Sequence, residues 1–368
     1  MTKRNILLTP GPIPVPKAIR EVLGEPIIHH RTPQYRKIFQ DVSERLKKVF
    51  LTQNPVYTIT GSGTAAMEAA MVNFHSIGDE VLVVDGGKFG ERFTDIAKAY
   101  QLKPTVLKVN YGEAADPKLI EEALKKNPNL KSVCVELCET STAVVNDIRA
   151  IGAIVAKTDA LLIVDAISGL GADRLETDNW HVDLAISGSQ KALMLPPGLA
   201  FISVSEKAKK RLASANLPRF YVDIRLFEKA LKDWDTPFTP AIGLVIALAK
   251  ALDQIEVEGL DNVFKRSAEL GDYTRKKLQA IGLQLFSKAP SSTATAAVVP
   301  AGVDGEKLIK IMRDDKGVTM AGGQGDQMKG KIVRMAHMGS ITRADIDEGI
   351  AILQQTLEEL GSPAGSAK

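Results

Sequence analysis

A lysine and an aspartate have the clearest potential for chemistry in this sequence. Lys191 ends the small-residue stretch Ser187-Gly188-Ser189-Gln190-Lys191, and Asp165 directly follows the apolar run 160–164. A lysine amine in apolar surroundings can attack an aldehyde to form a Schiff base, and burial lowers its pKa toward the range that this needs. A carboxylate at the end of a buried strand can keep a ring nitrogen protonated. Because surface lysines far outnumber catalytic ones, neither residue identifies a site by itself.

A glycine-rich turn is a second candidate. Gly61-Ser62-Gly63-Thr64 lies between a predicted strand at 56–60 and a predicted helix at 64–74. The free N–H groups and the dipole of a first helical turn suit a phosphate group. The turn lacks the lysine of a Walker motif and the third glycine of a dinucleotide fingerprint, so it does not indicate a nucleotide. A plain glycine turn with a hydroxyl cap explains it equally well.

Three further residues lie in or just after predicted strands. Phe89, between glycines, could stack on a flat ring, although core packing is commoner for an aromatic side chain. Thr140, in Glu139-Thr140-Ser141-Thr142, could bond a phenolic oxygen or simply cap a turn. Arg334 could bind a carboxylate through two parallel hydrogen bonds, or it could form a structural ion pair.

The order of these features is more informative than any one of them. A phosphate turn, an aromatic ring, a hydroxyl, an aspartate, a lysine and a late arginine follow one another along the chain. Pyridoxal 5′-phosphate (PLP) carries a phosphate, a flat ring with a nitrogen, a phenolic oxygen and an aldehyde. The set therefore predicts one PLP site. No metal site is expected, because the two cysteines cannot supply the ligands of a zinc centre.

Short apolar runs alternate with helical patterns over the first half of the chain. Strands are predicted at 56–60, 81–85, 131–137, 160–165, 183–187 and 199–204, and helices at 64–74, 90–100, 117–125 and 147–157. This alternation predicts an α/β fold with a mostly parallel sheet that is covered on both faces. Ligands of such sheets bind at the carboxyl ends of the strands.

The pattern becomes α+β from about residue 258. A helical region at 241–280 with a break near Gly259 precedes predicted strands at 283–286, 295–299 and 332–335 and predicted helices at 304–313 and 343–360. Four prolines within 6–16 forbid a helix there. We predict an N-terminal arm (1–20) that contributes to the active site and the small domain, a large cofactor-binding domain (21–257), a small C-terminal domain (258–361) and a flexible tail (362–368).

Composition excludes several classes of protein. The sequence is 45% hydrophobic and 25% charged, with a formal net charge of only +3. No basic cluster is interleaved with aromatic residues, so nucleic acid is a poor partner. No apolar stretch reaches the ~18–20 residues of a membrane span. The first residues lack the apolar core of a signal peptide, so a cytoplasmic enzyme is expected.

The chain resembles the class V aminotransferases of PLP fold type I, the group that contains alanine–glyoxylate and serine–pyruvate aminotransferases. The motifs that carry the resemblance run nearly end to end: Leu8-Thr9-Pro10-Gly11-Pro12, His30-Arg31-Thr32, Gly61-Ser62-Gly63-Thr64, Glu139-Thr140-Ser141-Thr142, Val164-Asp165, Ser187-Gly188-Ser189-Gln190-Lys191, Pro196-Pro197-Gly198, Thr236-Pro237-Phe238-Thr239-Pro240 and Arg334. The resemblance implies a large domain with a mostly parallel seven-stranded sheet and a smaller α+β domain.

The resemblance also implies a role for each site residue. Lys191 would carry the internal aldimine and move the proton of the substrate α-carbon. Asp165 would pair with the pyridine nitrogen, Phe89 would stack on the ring and Thr140 would bond the phenolic oxygen. The phosphate would be held by Ser62, Gly63, Thr64 and Gln190, with Thr239 from the second subunit of a homodimer that shares its active sites. The substrate carboxylate would bind Arg334 near the Gly11 backbone.

Some positions separate this chain from relatives within the fold. Cysteine desulfurases and kynureninases usually place histidine where Gln190 stands, and both cysteines here precede Lys191, so desulfuration is disfavoured. Relatives usually have His-Asn where this chain has Leu137-Cys138, glycine where it has Ala143, and Ser-Ser or Ala-Ser near Ile167-Ser168-Gly169. These differences lie beside the expected cofactor.

We expect a ping-pong transaminase that uses alanine or serine as donor and glyoxylate or pyruvate as acceptor. Aspartate with 2-oxoglutarate is the alternative, and a non-catalytic subunit of the same fold is a second one. His29, His30 or Arg31 could reach a second substrate carboxylate, although an interface or loop-anchoring role is more common for such residues.

Overall fold

The computed structural model describes residues 5–362. Its strands are β1 (Ile6–Leu7), β2 (Val56–Gly61), β3 (Glu80–Asp85), β4 (Lys103–Lys108), β5 (Ser132–Glu136), β6 (Cys138–Glu139), β7 (Val144–Val145), β8 (Leu161–Asp165), β9 (Leu184–Gly188), β10 (Gly198–Val204), β11 (Ala294–Val298), β12 (Val318–Thr319), β13 (Ala321–Gly322) and β14 (Ile332–Ala336). Its helices are α1 (Lys17–Leu23), α2 (Pro33–Phe50), α3 (Gly63–Phe74), α4 (Lys88–Ala99), α5 (Pro117–Lys126), α6 (Ile148–Val155), α7 (Glu206–Leu212), α8 (Ile224–Leu231), α9 (Ile242–Glu258), α10 (Leu260–Ala280), α11 (Gly305–Asp314), α12 (Gly325–Met328) and α13 (Arg343–Glu359).

The largest sheet has seven strands in the order β2-β10-β9-β8-β5-β3-β4. The four pairs from β9 to β4 are parallel, and β10 is antiparallel to both of its neighbours. Strands β5, β8 and β9 are buried along their whole length, as their mainly apolar sequences indicate. The prediction of an α/β fold with a mostly parallel seven-stranded sheet is confirmed.

Strand β4 is the one member of this sheet that the apolar runs do not reveal. It lies at the edge, begins and ends with an exposed lysine, and carries Pro104. An edge strand needs apolar residues on only part of its surface, and charges and proline protect its free side from pairing with another chain. Its amphipathic composition therefore hides it from a search for apolar runs.

The carboxyl ends of the parallel strands meet at one edge of the sheet. Asp165 at the end of β8 pairs in register with Glu136 of β5 and Ile186 of β9. Because β2 and β9 are both antiparallel to β10, β2 also ends at this edge, where Gly61 pairs with Gly198. The topology thus brings the glycine turn, Asp165 and the segment that follows β9 together.

A second sheet is built from the C-terminal part of the chain. It has the order β11-β14-β13, and its apolar residues form a core with α11 and α13. The N-terminal arm joins this part, since β1 pairs in parallel with β12 through Ile6 and Val318. The long helices α9 and α10 meet at Gly259, whose φ of 82° ends one helix and starts the next. The domain boundaries stay a prediction.

The predicted strand at 283–286 is wrong. Only Leu285 forms a bridge, with Ala297 of β11. Two backbone hydrogen bonds flank this bridge, from the Phe286 N–H to the Ala296 carbonyl and from the Val298 N–H to the Gln284 carbonyl. Beyond it the N–H of Lys288 bonds to the carbonyl of Gly112, so the pairing with β11 does not extend into a longer ladder. Of the predicted tail, residues 363–368 lie outside the described residues, whereas Ser362 is buried and its N–H bonds to the Leu357 carbonyl. Within residues 5–362, no helix is long and apolar enough to cross a membrane.

Candidate active site

Lys191 lies three residues beyond the end of β9 and is almost completely buried. Its Nζ donates a hydrogen bond to the carbonyl of Pro10 at 2.5 Å, so the N-terminal arm covers the amine. Gly11 has a φ of 125°, a conformation that favours glycine, and a Cβ there would also crowd the Lys191 side chain. Burial lowers the pKa of Lys191 to about 8. The amine is therefore far more available as a nucleophile at neutral pH than an exposed lysine.

Asp165 is buried at the end of β8, on the same cavity as Lys191. Its Oδ1 accepts a hydrogen bond from the N–H of Ile167 at 2.7 Å. Burial raises the pKa of Asp165 to about 6, and the neighbouring charge of Glu139 acts in the same direction. A cationic partner would stabilise this carboxylate, and a protonated pyridine nitrogen is such a partner.

One cavity of about 290 Å³ brings most of the predicted site together. The predicted site residues that line it are Gly11, Ser62, Gly63, Thr64, Phe89, Thr140, Asp165, Gln190 and Lys191. Arg334 does not line this cavity, and Thr239 lines a different pocket of the described residues. Arg92, Cys138 and Ser168 also line the cavity, although we did not predict them as site residues from the sequence.

The glycine turn has the properties of a phosphate site. Ser62 is the N-cap of α3, but its side chain makes no capping hydrogen bond and stays available for a ligand. A Cβ at Gly63 would lie 2.5 Å from Ile167 Cδ1, so only glycine fits beside this wall. The side chain of Gln190 approaches the turn, and its buried Oε1 has no partner. Turning the amide over would present its NH₂ group, so the residues fit a phosphate.

Two neighbouring groups hold the positions of Phe89 and Thr140. The carboxylate of Glu139 accepts hydrogen bonds at 3.0 Å from the N–H groups of Phe89 and Gly90, and so caps the start of α4. The hydroxyl of Thr140 lies 2.5 Å from that of Ser168. Glu139 therefore positions the aromatic ring, and Ser168 shares the hydroxyl that we expect to face the phenolic oxygen.

Arg334 extends from β14 toward the back of Thr140. Its Nη1 donates to the Thr140 carbonyl at 2.7 Å, and its Nε and Nη2 donate to the Gly322 carbonyl at 3.0 and 2.7 Å. These bonds use three of the five N–H donors of a guanidinium. Burial lowers the pKa of Arg334 to about 10, which leaves the group charged at neutral pH. The guanidinium of Arg334 is therefore held rigidly, and one N–H group on each Nη remains available to bind a ligand.

Two unusual positions are explained by packing and by backbone geometry. A Cβ at Gly169 would clash with the side chain of Leu137, so the two substitutions relative to the family pattern fit one another. Ala143 is buried with a φ of 58°, a conformation that glycine adopts more easily. The glycine that is usual at this position therefore has a conformational reason, and the alanine is strained.

Arg31 anchors a loop in this structure. Its Nη1 lies 2.8 Å from Asp235 Oδ1 and donates to the Thr236 carbonyl at 3.0 Å. Its charge is therefore already paired by a buried carboxylate. This contact holds the start of the segment that contains Thr239, which is exposed.

We expect Lys191→Met to stabilise the cofactor-free protein at pH 7. The pKa of Lys191 is about 8 in the fold, against 10.5 ordinarily, so between these values the unfolded chain binds more protons than the folded one. The cost of the buried amine is complete below pH 8 and disappears as the pH rises to 10.5. It amounts to at most about 3 kcal/mol, less the worth of the bond to Pro10.

Urea unfolding of both cofactor-free proteins at pH 7 and pH 10 measures this cost. The advantage of Lys191→Met should shrink at the higher pH. An advantage that is absent at pH 7, or equal at both pH values, would contradict the expected burial.

A buried amine, a strand-end carboxylate and a phosphate turn around one cavity are typical of a PLP-dependent enzyme. The chain belongs to the class-V aminotransferase family, since the model of the family described as "Aminotransferase class-V" matches residues 20–347. Enzymes of this family are PLP-dependent and move an amino group between an amino acid and a 2-oxo acid. The protein is therefore a PLP-dependent aminotransferase, as the sequence predicts.

Relatives and a solved structure support the same family. An uncharacterized aminotransferase of Methanocaldococcus jannaschii is 41% identical over 97% of this chain and 94% of its own length. The soluble hydrogenase small subunit of a Synechococcus strain is 39% identical over 98% and 95%. The L-aspartate–glyoxylate aminotransferase of Paracoccus denitrificans is 34% identical over 99% and 93%. The crystal structure of an alanine–glyoxylate aminotransferase from Nostoc superposes with a TM-score of 0.93 at 29% identity, covering 97% of this chain and 96% of that one.

Proposed function

We propose that the protein transfers the amino group of a small L-amino acid, alanine or serine, to glyoxylate or pyruvate by a ping-pong reaction. The observation that carries this proposal is the charge of the cavity lining. Its two cations are Lys191 and Arg92, and Arg92 is bonded to Thr64 on the phosphate side. Arg334, which bonds the Thr140 carbonyl, keeps two N–H groups for the α-carboxylate of the substrate, and the described lining offers no further cation for a second carboxylate. The cavity of about 290 Å³ must also hold the cofactor together with the substrate.

The predicted site residues have complementary tasks in this proposal. Bound PLP supplies an aldehyde carbon and an electron-withdrawing ring. The hydroxyls and N–H groups of the phosphate turn, with Gln190, hold the phosphate. Asp165 keeps the ring nitrogen protonated, and Thr140 orients the phenolic oxygen. Lys191 Nζ removes the proton from the substrate α-carbon, and the arm at Pro10 and Gly11 limits access of water to that amine.

The names of relatives support glyoxylate as the acceptor, and the charges that line the cavity support a small amino acid as the donor. The Paracoccus relative and the Nostoc structure are both named for glyoxylate, but one is named for aspartate and the other for alanine. Aspartate with 2-oxoglutarate remains the alternative, and it requires a cation that the described lining does not offer. Arg31 is a weak candidate for that role, because its guanidinium is paired with Asp235.

A non-catalytic role is a second alternative, favoured by the Synechococcus relative named as a hydrogenase subunit. The buried amine of Lys191 argues against it. Burial of an amine costs folding stability, and this cost is useful only where the amine reacts. A non-catalytic scaffold protein would have no use for a reactive amine.

A panel of donors and acceptors tests the proposal. Alanine, serine, aspartate, glutamate and phosphoserine are each combined with glyoxylate, pyruvate and 2-oxoglutarate, and product formation is followed. We expect alanine or serine with glyoxylate to give the highest kcat/KM. Preference for aspartate with 2-oxoglutarate would support the alternative. A visible cofactor band near roughly 410–430 nm that no donor bleaches would support the non-catalytic reading.

We further propose a homodimer in which each subunit completes the other's site. Phe220 is 73% exposed, and the rings of Phe220 and Tyr221 each pack against Phe238 in an aromatic cluster on the surface. Tyr221 Oη donates to the carbonyl of Thr60, directly before the phosphate turn, and Thr239 follows Phe238. A contact between two copies through this surface would bury the cluster and bring Thr239 to the partner's phosphate site.

A cytoplasmic location stays a prediction.

Mixing two inactive variants tests the shared site. Lys191→Ala removes the amine, and Thr239→Glu sets a negative charge where the partner's phosphate would bind. In a mixed dimer, one site combines an intact Lys191 with an intact Thr239. Refolding the two variants together should restore about a quarter of wild-type activity, because half of the dimers are mixed and half of their sites are intact. No recovery, with mixed dimers demonstrated, would contradict a shared site.

A further inference from the structure

We propose that Arg92 is a positioning residue. It links the glycine turn at residues 61–64 to the ring of Phe89, and so determines how tightly and in which orientation the cofactor is held. This inference rests on the roles proposed for Thr64 and Phe89. Neither the family motifs nor the residue pattern of the sequence assigns a task to Arg92.

Arg92 contacts both parts of the cofactor site. It lies one turn after Phe89 in α4, so both side chains project from the same side of the helix. Its guanidinium carbon is 4.8 Å from the centre of the Phe89 ring. Its Nη1 donates to the hydroxyl of Thr64, in the first turn of α3, at 3.2 Å. One side chain thus joins the N-terminal turns of two separate helices.

The charge of Arg92 favours the protonation states that cofactor binding requires. The pKa of Lys191 is lowered mainly by burial, and the positive charge of Arg92 lowers it further. The pKa of Asp165 is raised mainly by burial, and Arg92 opposes that rise. Arg92 therefore supports an unprotonated amine and an ionised carboxylate. It also adds positive charge beside the phosphate turn.

Lys88 offers a matched control in the same turn of α4. Its Nζ pairs with Glu91 at 2.7 Å, the side chain is 43% exposed, and it does not line the cavity. Removing this cation changes the net charge of the protein as much as removing Arg92 does. A difference between the two variants therefore reports the contacts and location of Arg92.

The experiment compares Arg92→Met, Arg92→Lys and Lys88→Met with the wild type. Each cofactor-free protein is titrated with PLP, followed by visible absorbance and by circular dichroism of the bound cofactor. We expect Arg92→Met to bind PLP roughly tenfold to thirtyfold more weakly, since it loses a cation–π contact and a charged hydrogen bond. Its dichroism should also weaken, because ring orientation is less constrained. Arg92→Lys should be intermediate and Lys88→Met unchanged.

Two further variants separate the contacts. Thr64→Val breaks the hydrogen bond but keeps the aromatic contact; because the Thr64 hydroxyl is also proposed to hold the phosphate, the informative result is its combination with Arg92→Lys, in which the two losses should be less than additive. In a Phe89→Leu background, Arg92→Met should cost less affinity than it does alone, since residues that act as a unit are not additive. Wild-type affinity and dichroism in Arg92→Met, or strictly additive losses when Arg92 is changed together with Thr64→Val or Phe89→Leu, would each overturn the inference.

The outcome is distinguishable from failure of the proposed function. If no amino acid bleaches the bound cofactor of the wild type while Arg92→Met still binds it weakly, the proposed reaction fails and the positioning role stands. If donors bleach the wild type and Arg92→Met binds PLP normally, the reaction stands and the positioning role fails.

Discussion

Lys191→Ala is expected to reduce the rate of amino transfer by roughly 10³- to 10⁵-fold, because it removes a nucleophile and a proton-transfer group together. The change leaves a small cavity beneath the arm where the Lys191 amine meets the Pro10 carbonyl. The visible band of lysine-bound cofactor should disappear at the same time. The measurement is product formation under saturating PLP with the preferred donor and acceptor.

Lys288→Ala is a suitable control for Lys191→Ala, because Lys288 is exposed and pairs with Glu113 at the surface. It should retain wild-type activity. If Lys191→Ala kept the visible band and reacted within tenfold of the wild-type rate, the amine that matters would have to be another lysine. The assignment of Lys191 would then be wrong.

Arg334→Met should lower kcat/KM for both the amino acid and the 2-oxo acid by roughly 10²- to 10³-fold. Loss of a buried, hydrogen-bonded charge from a charge pair costs about 2–5 kcal/mol. We expect the larger part of the effect in KM, since a carboxylate held equally in the bound substrate and the transition state contributes uniform binding. PLP affinity should change little, because the hydrogen bonds of Arg334 go to the carbonyls of Thr140 and Gly322 rather than to the glycine turn.

Arg334→Lys and a substrate without a carboxylate provide the controls. Lysine keeps the charge but not the planar fork, so Arg334→Lys should recover only a small part of the loss. A primary amine that lacks a carboxylate should react equally slowly with wild type and Arg334→Met. If the variant slowed that amine as much as alanine, the effect would come from disturbed packing at Thr140 and Gly322, whose carbonyls Arg334 bonds.

The sequence predicts the buried part of the sheet well, because a strand that is covered on both faces must be apolar along its length. The all-buried strands β5, β8 and β9 therefore appear as runs of mainly apolar and small residues. Apolar runs do not predict the edge strand β4, and they wrongly predict a strand at 283–286, because neither segment is buried along its whole length. Whether such a segment pairs depends on a neighbour that is distant in sequence, as the bond from Lys288 to Gly112 illustrates.

The residues of the candidate site also divide into those that local sequence patterns reveal and those that only contacts between distant segments reveal. Lys191, Asp165 and the phosphate turn could be found from the sequence, because chemistry at the carboxyl ends of strands requires particular residue types directly after apolar runs. The role that we propose for Arg92 could not, since it depends on contacts to Phe89 and Thr64 across two helices. Ser168 gains its position from Thr140, and Gly169 from the side chain of Leu137. These contacts join segments that local patterns treat as independent.

By itself, then, the sequence determined the α/β class and the cofactor, and it singled out Lys191 as the amine proposed to bind it, because local apolar patterns and residue chemistry are properties of short segments. Only the tertiary structure decided which side chains share the cavity, that the arm covers Lys191, and that Arg334 stands behind Thr140. Burial also moves the pKa of Lys191 to about 8 and that of Asp165 to about 6. Such shifts arise from desolvation by residues far apart in the chain, so they exist only once the chain is folded.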